Sequence, residues 1–237
     1  MSRLVMADLF CGEGGAAAGY VAAGFEVHGF DIVHPDPEKR AKLAPEMRRR
    51  YLASGAASFT VADANTVPLA GFDAVHKSPP CKDHTDLAAQ SGGDGTGWML
   101  PHAIDRARAS GLPYVIENVE SPSAKQHMDG AFMLCGSSFG LGAAGRILKR
   151  HRLFLTNVPL LAPPCVCSGW PVGGVYGTGG AGQMTRGYKF HPDDARRAMG
   201  IGWMSRAGLS QAIPPAYTRF IGEQILDHLA ARTRTAA

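Results

Sequence analysis

A cysteine directly behind two prolines, Ser78-Pro79-Pro80-Cys81, carries the clearest chemical promise in this 237-residue chain. Two fixed φ angles just ahead of a thiol suit a nucleophile that has to be aimed. Lys82, Asp83 and His84 follow, a polar and partly cationic setting expected to lower the thiol pKa. The other four cysteines, Cys11, Cys135, Cys165 and Cys167, take the ordinary reading of inert core residues. Cys165-Val166-Cys167 invites a metal, but no second Cys or His pair follows at the usual zinc spacing, so no metal is expected. Glu117 closes the apolar run Tyr114-Val-Ile-Glu117, where a carboxylate is costly to bury without a partner or a chemical role. Arg150 and Arg152 flank His151 ahead of another apolar run. Taken singly, each arginine also reads as the solvated start of a strand.

A second constellation lies near the N-terminus. The apolar run Leu4–Phe10 passes into Cys11-Gly12-Glu13-Gly14-Gly15 and then a helical stretch. Glycines here let the backbone approach a nucleotide-type cofactor, and a carboxylate ending the next strand can hold a ribose. Asp31, 19 residues after Gly12, stands at that place. Asp63 ends a third strand, where it can accept from an adenine amino group. The turn alone is ambiguous. It fits the looser NAD fingerprint G-x-G-x-x-A as well, and also a tight turn that holds no ligand.

These residues need a scaffold that brings strand ends together. Strands are expected at Leu4–Phe10, Glu26–Ile32, Ser58–Asp63, Asp73–Lys77, Tyr114–Val119 and Arg152–Asn157. Helices are expected at Ala16–Ala23 with Gly24 as C-cap, 38–53, Gly97–Ala109, Pro192–Met199 and Thr218–Ala231. Arg48-Arg49-Arg50 within 38–53 reads as a solvated face. Nearly continuous apolar strands alternating with helices indicate an α/β fold with a doubly wound, mostly parallel sheet. The glycine-rich 88–97 suits a lid over Cys81. Periodicity fades across 158–190, which reads as a small irregular lobe. The expected division is 1–157 plus 207–237 for the catalytic and cofactor-binding domain and 158–206 for the lobe.

Charge is uneven. Residues 1–145 carry a net of −4 and residues 146–237 a net of +8, the latter being what a polyanion-binding face needs. No apolar run approaches the roughly 18 residues of a membrane span. The N-terminus lacks the h-region of a secretory signal. Five scattered cysteines argue for a reducing compartment. A cytoplasmic monomer is expected.

Taken in order, Asp8-Leu-Phe-Cys-Gly-Glu-Gly-Gly15, Pro79-Pro-Cys81, Glu117-Asn-Val119 and Arg150-x-Arg152 resemble the motifs of the cytosine-C5 DNA methyltransferase family. Ala195-Arg-Arg-Ala-Met-Gly200 and Ser210-Gln-Ala-Ile-Pro-Pro215 are similar to later segments of that family. The resemblance implies a class I S-adenosylmethionine-dependent fold and methyl transfer to C5 of a cytosine flipped out of double-stranded DNA. It implies Cys81 as the nucleophile at C6, Glu117 at the N3/N4 edge, Arg152 on O2, and Arg150 on a phosphate or the Cys81 loop. For S-adenosyl-L-methionine it implies Phe10, Gly12, Gly14, Asp31, Ile32, Asp63, Ala64, Pro80 and Gln211. For DNA it points to Lys82 and Thr85, and, in the lobe, to Gln183, Arg186 and Lys189. Lys82 stands where Gln is usual, Leu148 where Gln commonly precedes the arginines, and Gln211 where Asn is common. The lobe is a third to a quarter of the family's usual recognition domain, implying a short target and suiting a stand-alone modification enzyme. Three alternatives stay open: an RNA (tRNA) cytosine-C5 methyltransferase, a variant using a carboxylated S-adenosylmethionine analogue, and an NAD-dependent oxidoreductase.

Overall fold

The computed structural model describes residues 3–81, 95–177, 180–184 and 187–235. The expected contacts Lys82, Thr85 and Arg186, and most of the expected lid, lie outside them. The chain begins β1 (Val5–Leu9), α1 (Gly15–Ala23), β2 (Glu26–Asp31), α2 (Pro37–Leu52), β3 (Ser58–Val61) and β4 (Ala74–Lys77). It continues with α3 (Met99–Ser110), β5 (Tyr114–Val119), α4 (Pro122–His127), β6 (Phe132–Leu134) and a 3-10 turn at Gly136–Phe139. Then come β7 (Gly142–Ala143), β8 (Arg146–Leu148), β9 (Arg152–Thr156), β10 (Val172–Gly174), β11 (Gly182–Met184) and β12 (Gly187–Lys189). Three helices close it: α5 (Pro192–Met199), α6 (Arg206–Gln211) and α7 (Pro215–Thr235).

The main sheet has seven strands in the order β3-β2-β1-β4-β5-β9-β6. β1 to β5 run parallel, while β9 pairs antiparallel with both β5 and β6. The α/β class and the mostly parallel sheet are as the alternating pattern implies. Strand order reverses between β1 and β4. Loops leaving the carboxyl ends of those two strands diverge and leave a crevice, the usual ligand position in open α/β sheets. The glycine turn leaves β1 and Pro79-Pro80-Cys81 leaves β4, so both constellations border that crevice.

Alternation along each strand feeds two cores. Met6 and Ala74 pack on one face with Tyr20, Tyr217, Ile221 and Ile225, while Ala7, Leu9 and Val75 pack on the other with Leu100, Ile104 and Ala107. Each fully buried aliphatic side chain contributes about 1.5–3 kcal/mol. α1 lies close against α7 because Gly19 has no side chain: a Cβ there would collide with the Pro215 carbonyl oxygen. Helix ends follow their local signals. Asp36 accepts from the amides of Glu38 and Lys39 at the start of α2, as an N-cap does. Gly24 (φ +122) ends α1 and Gly111 (φ +67) ends α3.

Downstream, a five-stranded sheet in the order β11-β12-β10-β8-β7 forms the lobe. It recruits Gly142–Ala143 and Arg146–Leu148, upstream of residue 158 where the lobe is expected to begin. Its core is Leu148, Val175, Phe190, Ala195, Ala198, Met199, Ile201, Met204, Leu209 and Ala212. Strands of two or three residues carry no readable period, which is why the sequence shows this region as irregular. Among the described residues no helix is long and apolar enough to cross a membrane.

Candidate active site

Three left-handed backbone positions shape the turn after β1: Phe10 (φ +60), Gly12 (φ +52) and Gly14 (φ +88). That conformation costs Phe10 more than it costs a glycine. A Cβ on Gly12 would meet nothing within 4 Å, so open space lies above the turn. Asp31 holds the turn in place. Its carboxylate accepts from the Gly12 amide at 3.0 Å and from the Val33 amide at 2.6 Å. Burial raises its pKa, and those two amides pull the other way. Ile32 next to it is exposed. Asp63 accepts from both the backbone and side-chain nitrogens of Asn65 at 2.9 Å, and the Ala64 carbonyl is engaged by Arg106 at 3.1 Å. Gln211 ends α6, and its neighbours Ala212 and Ile213 pack against Gly15. Phe10, Gly12, Gly14 and Asp31 therefore gather at one turn, and the segment after Gln211 reaches that turn from the far end of the chain.

Glu13 is a residue that sequence reasoning leaves unassigned. It is buried, pairs with Arg50 at 2.9 Å, and accepts from the Ser205 amide at 2.7 Å. Its backbone carbonyl accepts from the Trp203 indole at 3.0 Å. Arg50 is thus not part of a solvated face, whereas Arg49 is exposed and pairs with Glu46. The glycine run hides Glu13's role, since nothing local marks its distant partners.

At the second loop, Cys81 is half-buried. Pro79 is fixed by its carbonyl, which accepts from the Asn118 side chain at 3.2 Å. The asparagine of Glu117-Asn118-Val119 thereby ties the end of β5 to the cysteine's loop. Glu117 is buried and forms an ion pair with Arg152 Nε at 2.9 Å. Antiparallel pairing of β5 with β9 sets Val119 opposite Arg152, so the arginine enters from the neighbouring strand. Burial raises the Glu117 pKa, and Arg152 and Arg150 oppose it. The Cys81 thiol is pushed up, first by burial and then by the Glu117 charge, with Arg152 and Arg150 acting in the opposite sense. The direction is opposite to the expected lowering, whose basis in Lys82, Asp83 and His84 lies outside the described residues. Among the described residues, desolvation outweighs the nearby cations.

Arg150 also departs from its expected place on a phosphate or the cysteine loop. It is buried, and its guanidinium donates to three backbone carbonyls: Ala212 at 2.8 Å, Val175 at 2.6 Å and Ser210 at 2.9 Å. Its own carbonyl accepts from the Tyr217 hydroxyl at 2.7 Å. Burial lowers its pKa to about 9, yet a delocalised guanidinium with three carbonyl acceptors stays charged at neutral pH. Arg152 faces the acid while Arg150 holds the lobe and the C-terminal segment together.

Of the expected DNA contacts, Gln183 is exposed on β11. Lys189 is buried, with its ammonium 5.7 Å from the Tyr176 ring centre. It lines a small hollow with Arg196 and Arg206, a correction to its reading as a surface contact. It is buried together with its neighbour Phe190 where β12 enters the core of this sheet. The sequence does not single out Lys77. It is buried at the end of β4, and desolvation lowers its pKa to about 8, with Arg106 adding to the effect.

The structure also corrects the reading of Cys135, Cys165 and Cys167 as unconnected core thiols. It gathers all three around His151. The missing partners precede the Cys165-Val166-Cys167 pair instead of following it, so a forward search for zinc spacing passes them by.

No family model matches the chain, and no curated protein matches it. Solved structures with partial likeness include a protein described as a DNA modification methyltransferase encoded within an E. coli prophage. That match has 19% identity and a TM-score of 0.43, and covers 64% of this chain and 45% of that one. S. pombe Dnmt2 methyltransferase matches at 15% identity and a TM-score of 0.42, covering 68% and 52%. Magnesium protoporphyrin IX methyltransferase from Synechocystis PCC 6803, with bound SAM, matches at 17% identity and 0.37, covering 65% and 70%. The chain thus spans about half the length of the first two. All three fall below 25% identity and a TM-score of 0.5, so they leave the functional reading to the residues of the site.

Proposed function

We propose that this chain is an S-adenosylmethionine-dependent DNA cytosine-C5 methyltransferase with Cys81 as its nucleophile. The observation that carries the reading is the buried Glu117–Arg152 pair, tied through Asn118 to the loop that presents Cys81, beside an open glycine turn.

Gly12 leaves room for the cofactor, while Gly14 lets the turn pack closely on Ser54 and Tyr51, and the remaining lone pairs of Asp31 suit ribose hydroxyls. Phe10, Ile32, Asp63, Ala64, Pro80 and Gln211 complete the proposed cofactor surroundings. When bound, S-adenosylmethionine supplies an electrophilic sulfonium methyl group. Cytosine C5 is a poor nucleophile, and the protein's side chains must enrich it. The Cys81 thiol gives up its proton to solvent and the thiolate adds to C6. The C5–C6 π electrons shift toward C4, N3 takes the proton of Glu117, and C5 is left as an enamine carbon. Arg152 hydrogen-bonds O2 and disperses charge as it develops. After C5 takes the methyl group, its proton is lost to a base, the Cys81–C6 bond breaks and the N3 proton returns to Glu117. Burial that favours a protonated Glu117 serves this sequence. A proton taken up by Glu117 can pass to N3, and burial pushes the Glu117 pKa in that direction against its pairing with Arg152. The base must leave the duplex to reach Cys81.

Expected outcome: with cofactor present, duplex DNA carrying 5-fluorocytosine in a methylated sequence context forms a denaturation-resistant adduct. Cys81→Ala gives neither adduct nor turnover but still binds S-adenosylhomocysteine. No adduct on a duplex that the protein methylates would sink the mechanism. Labelling of tRNA without labelling of DNA would move the substrate class to RNA. A thermal shift with NAD in place of S-adenosylhomocysteine would overturn the cofactor.

A further inference from the structure

Cys135 directly follows β6, His151 separates Arg150 from Arg152, and Cys165 and Cys167 lie on the segment joining β9 to β10. Three separate stretches within residues 135–167 thus meet at one corner. One ligand atom from each of the four residues lies within 4.8 Å of every other. Both Cys165 Sγ and Cys167 Sγ stand 3.5 Å from His151 Nε2. Tetrahedral zinc, with Zn–S near 2.3 Å and Zn–N near 2.0–2.1 Å, requires S···N edges of about 3.5 Å and S···S edges of about 3.8 Å. The two sulfur–nitrogen edges already have that length. Cys165 Sγ and Cys167 Sγ, at 3.3 Å, need to separate by only a few tenths of an ångström.

A second feature points the same way. The other ring nitrogen of His151, Nδ1, is 2.9 Å from Glu120 Oε2. Glu120 is itself held by Lys125 at 2.8 Å. A carboxylate on the far nitrogen fixes the tautomer and turns Nε2 toward the metal, the arrangement that metal-bound histidines almost always show. Ser137 steadies the Cys165 arm: its Oγ accepts from the Val166 amide at 3.1 Å and lies 3.6 Å from Cys165 Sγ.

We propose that Cys135, His151, Cys165 and Cys167 form a structural zinc site. Three soft thiolates and one imidazole with no hard oxygen ligand select Zn²⁺, and binding releases the thiol protons to solvent. The site has four protein ligands and no open position, so its role is to hold structure. It clasps the residue between Arg150 and Arg152 to the end of β6 and to the segment entering the lobe. The proposal stands independently of the transfer reaction, and its test does not use activity.

The full chain, purified reduced and without chelator, is expected to contain about one zinc by inductively coupled plasma mass spectrometry. Replacement by Co²⁺ should give the intense visible bands of a tetrahedral thiolate site in the unaltered protein. Cys165→Ser with Cys167→Ser should abolish both signals. Glu120→Gln keeps all four ligands, and is expected to weaken zinc by about 10–100-fold in a chelator competition. The proposal is overturned if the reduced full chain, offered Zn²⁺ or Co²⁺, binds neither. It is equally overturned if the serine variant retains metal.

Discussion

The two sheets of this protein hold their residues by different means. In the seven-stranded sheet, five parallel strands of four to six residues carry the ladder, with helices covering both faces. Its crevice is a by-product of strand order. In the five-stranded sheet, every strand has two or three residues, too short to stand without help. Side chains reaching across from elsewhere supply that help: Arg150 binds the Val175 carbonyl and Glu13 binds Ser205. A site grows out of regular backbone in the first region, whereas individual anchors keep the second region attached.

Substitution at an anchor is the sharpest way to break that contrast. Arg150→Ala leaves three carbonyls without their donor and is expected to cost about 3–5 kcal/mol. Hydrogen exchange should speed up across residues 172–190 while β1, β4 and β5 stay protected. Uniform loss of protection across both sheets would mean that the lobe is no separate region.

A pH experiment separates the regions next. Asp8 and His76 sit opposite each other in the β1–β4 register, both fully buried. Burial lifts the Asp8 pKa to about 7, against a hydrogen bond from Tyr51, and drives the His76 pKa down to about 3. Between about pH 4 and 7 the folded state keeps the Asp8 proton that the unfolded chain has lost, so stability falls as pH rises. His76 acts oppositely. The unfolded imidazole binds a proton below about 6.5 that the folded one refuses, so stability climbs with pH from about 3 to 6.5. The two slopes offset each other in the parent protein. Asp8→Asn should expose the histidine slope, up to about 1.4 kcal/mol per pH unit between pH 4 and 6.5. Denaturant titrations across that range check it, and an unchanged, flat profile would contradict the pairing.

The smallest effect tests the joint between the regions. Tyr217→Phe removes a hydrogen bond to the Arg150 carbonyl but keeps the ring packed against Phe139 and Phe154. A loss of about 1 kcal/mol is expected, read as a shift in the denaturation midpoint.

Legibility follows the same division. β1 to β5, β9 and the helices around them are readable, because apolar strands and glycine stops are local signals. Glu117 and Arg152 are readable as a set of types, and the structure pairs them. Arg150, in the same motif, is not: nothing in Arg150-His-Arg152 says which guanidinium turns toward carbonyls of distant segments. Lys189 misleads because its strand is too short to reveal which face is inside. The sulfur cluster escapes because its four members come from three segments, and only the fold adds them together. The shift of Cys81 depends on burial, which a string of neighbouring residue types cannot report.

The Glu13 carboxylate has a consequence for how the molecule is made. It joins the turn after β1 to Ser205, and nearby Thr218 donates to the Ala16 carbonyl at 2.9 Å. A growing chain emerges from the ribosome in order, so α1 waits with its apolar face uncovered until α7 has been synthesised. The cradle at the start of the sequence is therefore among the last parts of the protein to be completed during synthesis.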